Sequence, residues 1–108
     1  MGIEGLSTVE ILTQMLESWG PNGEHWCKGL RSHDGDKYCV LGAIGKLEDG
    51  YPEYPHTLTG HKITALLGGK CNIMYTNDHL ARSFQDIKAF ICKAIKTELE
   101  KEGARLAE

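Results

Sequence analysis

The chain has 108 residues, of which 41% are hydrophobic, and this is enough apolar material for one core but not for two. Its 12 basic and 15 acidic residues give a net charge of −3 without any run of like charge. This argues against a nucleic-acid-binding protein, whose affinity depends on clustered Lys and Arg. No apolar stretch approaches the roughly 18 residues that span a bilayer, and the N-terminus lacks a basic and apolar signal segment. We therefore expect one cytoplasmic domain, residues 1–108, with no membrane or nucleic-acid partner.

The cysteines and histidines show no spacing that is typical of a metal site. There is no Cys-x-x-Cys pair and no pair of histidines four residues apart. One set could be compared with zinc ligands, namely His25, Cys27, His33 and Cys39, but structural zinc ligands usually come in tight pairs. In a reducing cytoplasm the four cysteines should remain thiols. The sequence therefore predicts no metal site and no cofactor.

The first predicted helix covers residues 7–19. The segment 7–10, Ser-Thr-Val-Glu, is a capping box, and Gly20-Pro21 ends the helix because proline cannot continue the hydrogen-bond ladder. The stretch 25–31 is then predicted to be a short strand, which would leave Cys27 near the surface.

A second predicted helix, residues 37–47, forms the centre of the fold. Asp36 is expected to cap it, and apolar residues recur at helical spacing through Leu47. Gly42 and Gly45 each cost up to about 1 kcal/mol relative to alanine within a helix. We therefore expect another backbone, or a bulky ring such as that of Trp26, to pack closely against this side.

The remaining elements complete a mainly helical α+β domain. A proline-stiffened loop at 48–56 precedes a helix over 59–67, and residues 71–75 are predicted to form a strand. The last helix covers 83–102, with Ser83 as its cap, Asp86 as the second member of the capping pair, and Gly103 as its end. We expect three to four helices and an extended region of two or three strands, with helices 7–19 and 83–102 on either side of 37–47.

Four motifs follow one another between residues 26 and 83: Trp26, then 38–43 (Tyr-Cys-Val-Leu-Gly-Ala), 73–78 (Ile-Met-Tyr-Thr-Asn-Asp) and an Arg82-Ser83 helix start. This order resembles a family of small uncharacterised bacteriophage and bacterial proteins. Its members have a tryptophan, a Cys-x-x-Gly-Ala helix start and a Trp-Asn-Asp turn before the final helix. The chain departs from that pattern at 75–76, where Tyr-Thr stands before Asn-Asp, and in its Tyr/Pro-rich loop. The resemblance implies a phage or prophage origin but no established activity.

Cys39 is the strongest catalytic candidate, because a thiol in the first turn of a helix lies at the positive end of the helix dipole. His79 could serve as its base, with Asn77 or Asp78 to orient the imidazole, as in cysteine hydrolases and transferases. The alternative is that Cys39 is a small buried residue and that Asn77 and Asp78 only shape a turn. Because the apolar residues after Cys39 oppose thiolate formation, we favour the second interpretation.

The loop containing Tyr51, Tyr54 and His56 is the better candidate for recognition. Prolines reduce the entropy lost on binding, and tyrosines provide rigid contact area. The alternative is that these tyrosines pack back onto their own domain. The sequence thus predicts non-enzymatic binding of a host or viral protein, or sequestration of a small ligand, with an enzyme that uses Cys39 as the alternative.

Overall fold

The computed structural model describes residues 3 and 5–107, with backbone alone for 104–107. Five α-helices occur in these residues, and a π-helical turn, Thr76–Leu80, separates the last two. The helices are α1 (Thr8–Trp19), α2 (Val40–Asp49), α3 (Leu58–Leu66), α4 (Lys70–Tyr75) and α5 (Phe84–Ala107). None of them is long and apolar enough to cross a membrane.

The helices share one hydrophobic core. Helix α1 packs against both α5 and α2, and α2 packs in turn against α3 and α4. Helix α1 therefore lies between α2 and α5, whereas the 37–47 helix had been predicted to lie between the first and last helices. The largest fully buried side chains include Trp19, Tyr38, Leu41, Ile73 and Ile91.

The α+β prediction is wrong, because the described residues contain helices and isolated bridges but no sheet. The predicted strand 25–31 makes single bridges to Tyr38 through Trp26 and Arg31 and is interrupted by Gly29, whose φ of +79° is incompatible with a strand. The predicted strand 71–75 is helix α4. Apolar runs this short fit a strand and a buried helical turn equally well.

Tyr38 is the centre of the loops that precede α2. Its amide donates a hydrogen bond to the His25 carbonyl oxygen (2.8 Å), and its carbonyl oxygen accepts from the Cys27 amide (3.3 Å) and the Trp19 indole (3.0 Å). Its hydroxyl donates to the Ser18 carbonyl oxygen (2.7 Å). These bonds hold Tyr38 and its neighbours extended. Cys27 is half-buried beside them.

Helix α2 therefore starts later than predicted, at Val40, with Cys39 instead of Asp36 as its cap. The backbone atoms that would have formed its first turn are already bonded to the 25–30 segment. The expected close approach on the glycine side does occur. A Cβ atom at Gly42 would collide with the Leu30 carbonyl oxygen and the Tyr38 side chain, so a backbone rather than the Trp26 ring lies against it.

The predicted start of the first helix is confirmed, whereas the predicted end of the last helix is wrong. The capping box of α1 is confirmed, since the Ser7 hydroxyl accepts from the Glu10 amide and the Glu10 carboxylate accepts from the Ser7 amide. Helix α5 passes through Gly103, where the prediction had ended it. At its start the Asp86 carboxylate accepts from the Arg82 amide (2.7 Å).

Candidate functional site

The segment between α2 and α3, residues 50–57, carries the three residues predicted to bind a partner, and we call it the tyrosine loop. Its backbone at Glu53 lies directly on Gly45 of α2, where any Cβ atom would overlap the Glu53 carbonyl oxygen. The Arg31 guanidinium donates a hydrogen bond to the Pro52 carbonyl oxygen (3.1 Å). These contacts fix the course of the loop from two sides.

A buried carboxylate holds the other end of the tyrosine loop. The Glu48 side chain has no exposed surface. It accepts hydrogen bonds from the His56 amide (3.1 Å), the Thr57 amide (2.9 Å) and the Thr57 hydroxyl. Thr57 in turn caps α3 by accepting from the Gly60 amide (3.0 Å). The charge is thus satisfied by three donors, which is how a buried carboxylate becomes tolerable.

Both tyrosines of the loop are half-exposed, with 49% of Tyr51 and 44% of Tyr54 accessible. The Arg31 guanidinium carbon lies 5.1 Å from the centre of the Tyr51 ring, and the Lys70 Nζ lies 4.2 Å from the centre of the Tyr54 ring. Such cation–π contacts contribute about 0.5–1 kcal/mol each at exposed sites. The rings are therefore held in place while much of their surface stays accessible.

Tyr54 forms one wall of a small cavity, which we call the Tyr54 cavity. Its volume is ≈ 170 Å³, and its lining also includes Met74, Leu41, Leu30, Gly29, Cys39 and Asp78. The structure thus brings one predicted recognition residue together with two of the predicted catalytic candidates. Two larger and more open grooves, of ≈ 400 and ≈ 390 Å³, contain neither tyrosine of the loop and neither of those candidates.

Cys39 lines this cavity and is the N-terminal cap of α2. Its Sγ accepts a hydrogen bond from the Gly42 amide (3.4 Å), and only 5% of the residue is exposed. Burial raises the pKa of Cys39 to about 11, and the backbone hydrogen bonds from Gly42 and Leu41 oppose this only in part. The thiol is therefore neutral at physiological pH and lacks the thiolate that a nucleophile needs.

Asn77 is a buried structural connector. Its Oδ1 accepts from the Trp26 indole (2.8 Å) and the Val40 amide (3.4 Å), while its Nδ2 donates to the Cys27 carbonyl oxygen (3.3 Å) and to Asp78 Oδ1 (2.8 Å). The side chain thus joins the π-helical turn to the start of α2 and to the 26–27 segment. Asn77 does more than shape a turn, because it satisfies groups in two distant parts of the chain.

The remaining catalytic candidates do not form a triad. Asp78 Oδ1 also accepts from the Gly29 amide (2.9 Å), so this carboxylate anchors a loop. The His79 ring packs against Tyr75 in a tilted arrangement, with 5.3 Å between ring centres, and it is not among the residues that line the Tyr54 cavity beside Cys39. A Cys-His pair requires hydrogen-bond contact, and the described residues show none between these two.

His56 lies among three carboxylates. Its Nε2 is 3.2 Å from Asp49, and its Nδ1 is 3.4 Å from Glu48 and 3.8 Å from Glu53. A hydrogen bond with the Asp49 carboxyl group is the main reason that the pKa of Glu53 is raised, with desolvation as the second cause. Two acidic groups and an imidazole are therefore in mutual contact at the surface.

The set His25, Cys27, His33 and Cys39 does not come together as metal ligands. His25 Nδ1 instead lies 2.9 Å from the backbone carbonyl oxygen of Asp36. In the part of the chain that the structure describes, the one group of three side chains with suitable ligand atoms is Asp49, Glu53 and His56.

Sequence reasoning missed the residues that hold the tyrosine loop in place, namely Arg31, Glu48 and Lys70. For Glu48 a signal existed, because it follows Ile44 by four residues and so lies on the apolar stripe of α2. Arg31 and Lys70 are cations from distant segments, and nothing in their local sequence indicates this role.

Comparisons with protein-family models, with curated proteins and with solved structures give no match to this chain. The functional interpretation therefore depends on the geometry of the site.

Proposed function

We propose that the protein is a non-enzymatic binding protein that attaches to a host or viral protein through the tyrosine loop. In this proposal it acts in the cytoplasm of a bacterial host, as a phage-type protein would. The observation that supports it best is a rigidly held loop that presents two half-exposed tyrosines, one of them at the edge of a cavity.

The energetics of the loop favour a recognition role. Binding is weakened when side chains and loops must be ordered, at about 0.5–1.5 kcal/mol for each immobilised side chain. Here Gly45, Arg31 and Glu48 already fix the loop backbone, and two cations already restrict the rings. A partner therefore gains contact with the rings at a reduced entropic cost.

The size of the Tyr54 cavity favours a protein partner over a sequestered small ligand. Sites for drug-sized ligands have volumes of about 300–1,000 Å³. A cavity of ≈ 170 Å³ instead accommodates a single side chain, and its lining of Leu30, Leu41 and Met74 suits an apolar one. We therefore expect the partner to insert an apolar side chain there while its backbone crosses Tyr51 and Tyr54.

The enzymatic alternative gains no support from this geometry. Cys39 is neutral and caps α2, Asn77 and Asp78 accept hydrogen bonds from backbone amides, and His79 packs against Tyr75. No second function is therefore proposed.

Site-specific photo-cross-linking tests the proposal. A photoreactive phenylalanine analogue replaces Tyr54 in one variant and Tyr75 in a control, because Tyr75 is similarly exposed (55%) but is not among the residues that line the Tyr54 cavity. We expect a bacterial protein to be cross-linked from position 54 and not from position 75. The same protein should then bind the unmodified chain in a purified assay.

The double variant Tyr51→Ala/Tyr54→Ala provides the quantitative test. Aromatic anchors at interfaces contribute at least about 2 kcal/mol, so affinity for the identified partner should fall by roughly 30-fold or more. Leu99→Ala is the matched control, since Leu99 is half-exposed on α5. Unchanged affinity in a folded double variant would contradict the proposal, and loss of the fold would show that the tyrosines support their own domain.

A further inference from the structure

The side chains of Asp49, Glu53 and His56 lie close enough together to share a metal ion. One ligand atom from each side chain lies within 4.8 Å of the others. Two ligands that are each about 2.0–2.1 Å from a tetrahedral Zn²⁺ ion are separated by about 3.3 Å. The 3.2 Å between His56 Nε2 and Asp49 Oδ2 is close to that separation. Glu53 lies nearest to the other ring nitrogen, 3.8 Å from His56 Nδ1, so its side chain, which is 41% exposed, must rotate at the surface to complete the set.

A second observation concerns the opposite side of the imidazole. Histidines that bind metals almost always direct their other ring nitrogen to a carboxylate or carbonyl group, which fixes the orientation of the ring. His56 Nδ1 lies 3.4 Å from the Glu48 carboxylate, which is fully buried and held by the amides of His56 and Thr57. A fixed carboxylate therefore lies beside this ring nitrogen, at a distance slightly longer than an ordinary hydrogen bond.

We propose that Asp49, Glu53 and His56 bind a divalent transition-metal ion, with Zn²⁺ as the best match. One imidazole and two carboxylates suit Zn²⁺, which accepts both donor types and leaves the fourth position to water. Mg²⁺ prefers oxygen ligands and octahedral geometry, so the imidazole disfavours it. The sequence did not predict this site, because its ligands, separated by three and two residues, lie at the end of α2 and in the tyrosine loop and come together only through the fold.

The ion would join the end of α2 to the tyrosine loop. Asp49 is the last residue of α2, whereas Glu53 and His56 lie on either side of Tyr54. This role goes beyond partner binding and does not depend on it. Direct measurement of metal binding therefore tests it even if the proposed partner surface is wrong.

Isothermal titration with ZnCl₂ in a non-coordinating buffer is the primary experiment. Because Cys71 and Cys92 are exposed and thiols bind zinc, every protein in the series carries Cys71→Ser and Cys92→Ser. His56→Ala and Asp49→Asn remove one ligand each, and both positions are exposed enough to leave the fold intact. His61→Ala is the matched control, since His61 is an exposed histidine on the neighbouring helix α3.

We expect one ion per chain in the parent protein and in His61→Ala. Affinity should fall by at least about 10-fold in His56→Ala and in Asp49→Asn, in line with losses seen when even outer-shell partners are removed. Absence of saturable binding, or equal affinity in parent and His56→Ala, would overturn the site. Binding of Mg²⁺ with the same affinity as Zn²⁺ would overturn the assignment to a transition metal.

Discussion

Replacement of Asn77 by alanine should strongly destabilise the protein, because this one amide connects three parts of the chain. The residue is only 1% exposed. The change removes the acceptor of the Trp26 indole and the Val40 amide, and it removes a donor to the Cys27 carbonyl oxygen. Val40 is the first residue of α2, so its amide has no partner within the helix.

The magnitude follows from the number of groups left without a partner. An unsatisfied buried polar group costs about 1–3 kcal/mol. The Trp26 indole and the Cys27 carbonyl oxygen are half-buried and can regain some hydration, so the lower end of that range applies to each. Together with the Val40 amide this gives a loss of about 3–4 kcal/mol, a large share of the 5–15 kcal/mol typical of a domain.

Urea denaturation monitored by tryptophan fluorescence and circular dichroism measures this loss. Asn22→Ala is the matched control, since Asn22 is exposed and only its backbone amide is bonded, and its effect should stay within about 0.5 kcal/mol. Exchange of the Trp26 indole proton should also accelerate in Asn77→Ala. A loss below about 1 kcal/mol, or unchanged exchange at Trp26, would refute the connector role.

Three further predictions concern helix α2 and the thiols. Gly45→Ala should destabilise the fold and displace the tyrosine loop, seen as increased proteolysis near Glu53, because the new methyl group overlaps the Glu53 carbonyl oxygen. Between pH 9 and pH 11 the free energy of unfolding should fall by about 2 kcal/mol more in wild type than in Cys39→Ala, because the unfolded thiol ionises from its ordinary pKa of 9.0 whereas the folded thiol keeps its proton up to a pKa of about 11. Equal pH dependence of the two proteins in urea titrations would contradict this. Iodoacetamide should label the exposed Cys71 and Cys92 first and Cys39 last, and mass spectrometry showing Cys39 labelled first would reopen the enzymatic alternative.

Locally encoded features were predictable from the sequence. The capping box at Ser7 and Glu10 depends on residues three positions apart, and it forms as expected. The glycines of α2 correctly indicated a close backbone contact. Glycine lowers helix stability, so two glycines within a helix indicate that another part of the chain packs too closely for a side chain. The apolar residues after Cys39 correctly indicated a desolvated thiol.

Features set by distant contacts were not predictable. The start of α2 was misplaced because Tyr38 is bonded to a segment more than ten residues earlier, which no local pattern reveals. Residues 71–75 were assigned to a strand because five residues give too little periodicity to distinguish the two states. In the candidate site, the tyrosines could be predicted because they lie in a loop rich in tyrosine and proline. Arg31 and Lys70 come from distant segments, so their contacts with the tyrosine rings are visible only in the folded structure.

Helix α2 is the element on which the whole candidate site depends. Its N-terminal cap Cys39 lines the Tyr54 cavity, Gly45 leaves room for the loop backbone, and Glu48 and Asp49 at its C-terminal end contact His56. Two glycines within ten residues make this helix weak by intrinsic propensity, at about 2 kcal/mol relative to alanine. Its stability must therefore come from the segments packed on it, so the tyrosine loop and α2 support each other. A change that frees the loop should loosen the helix as well, and a partner or metal ion that holds the loop should stabilise both.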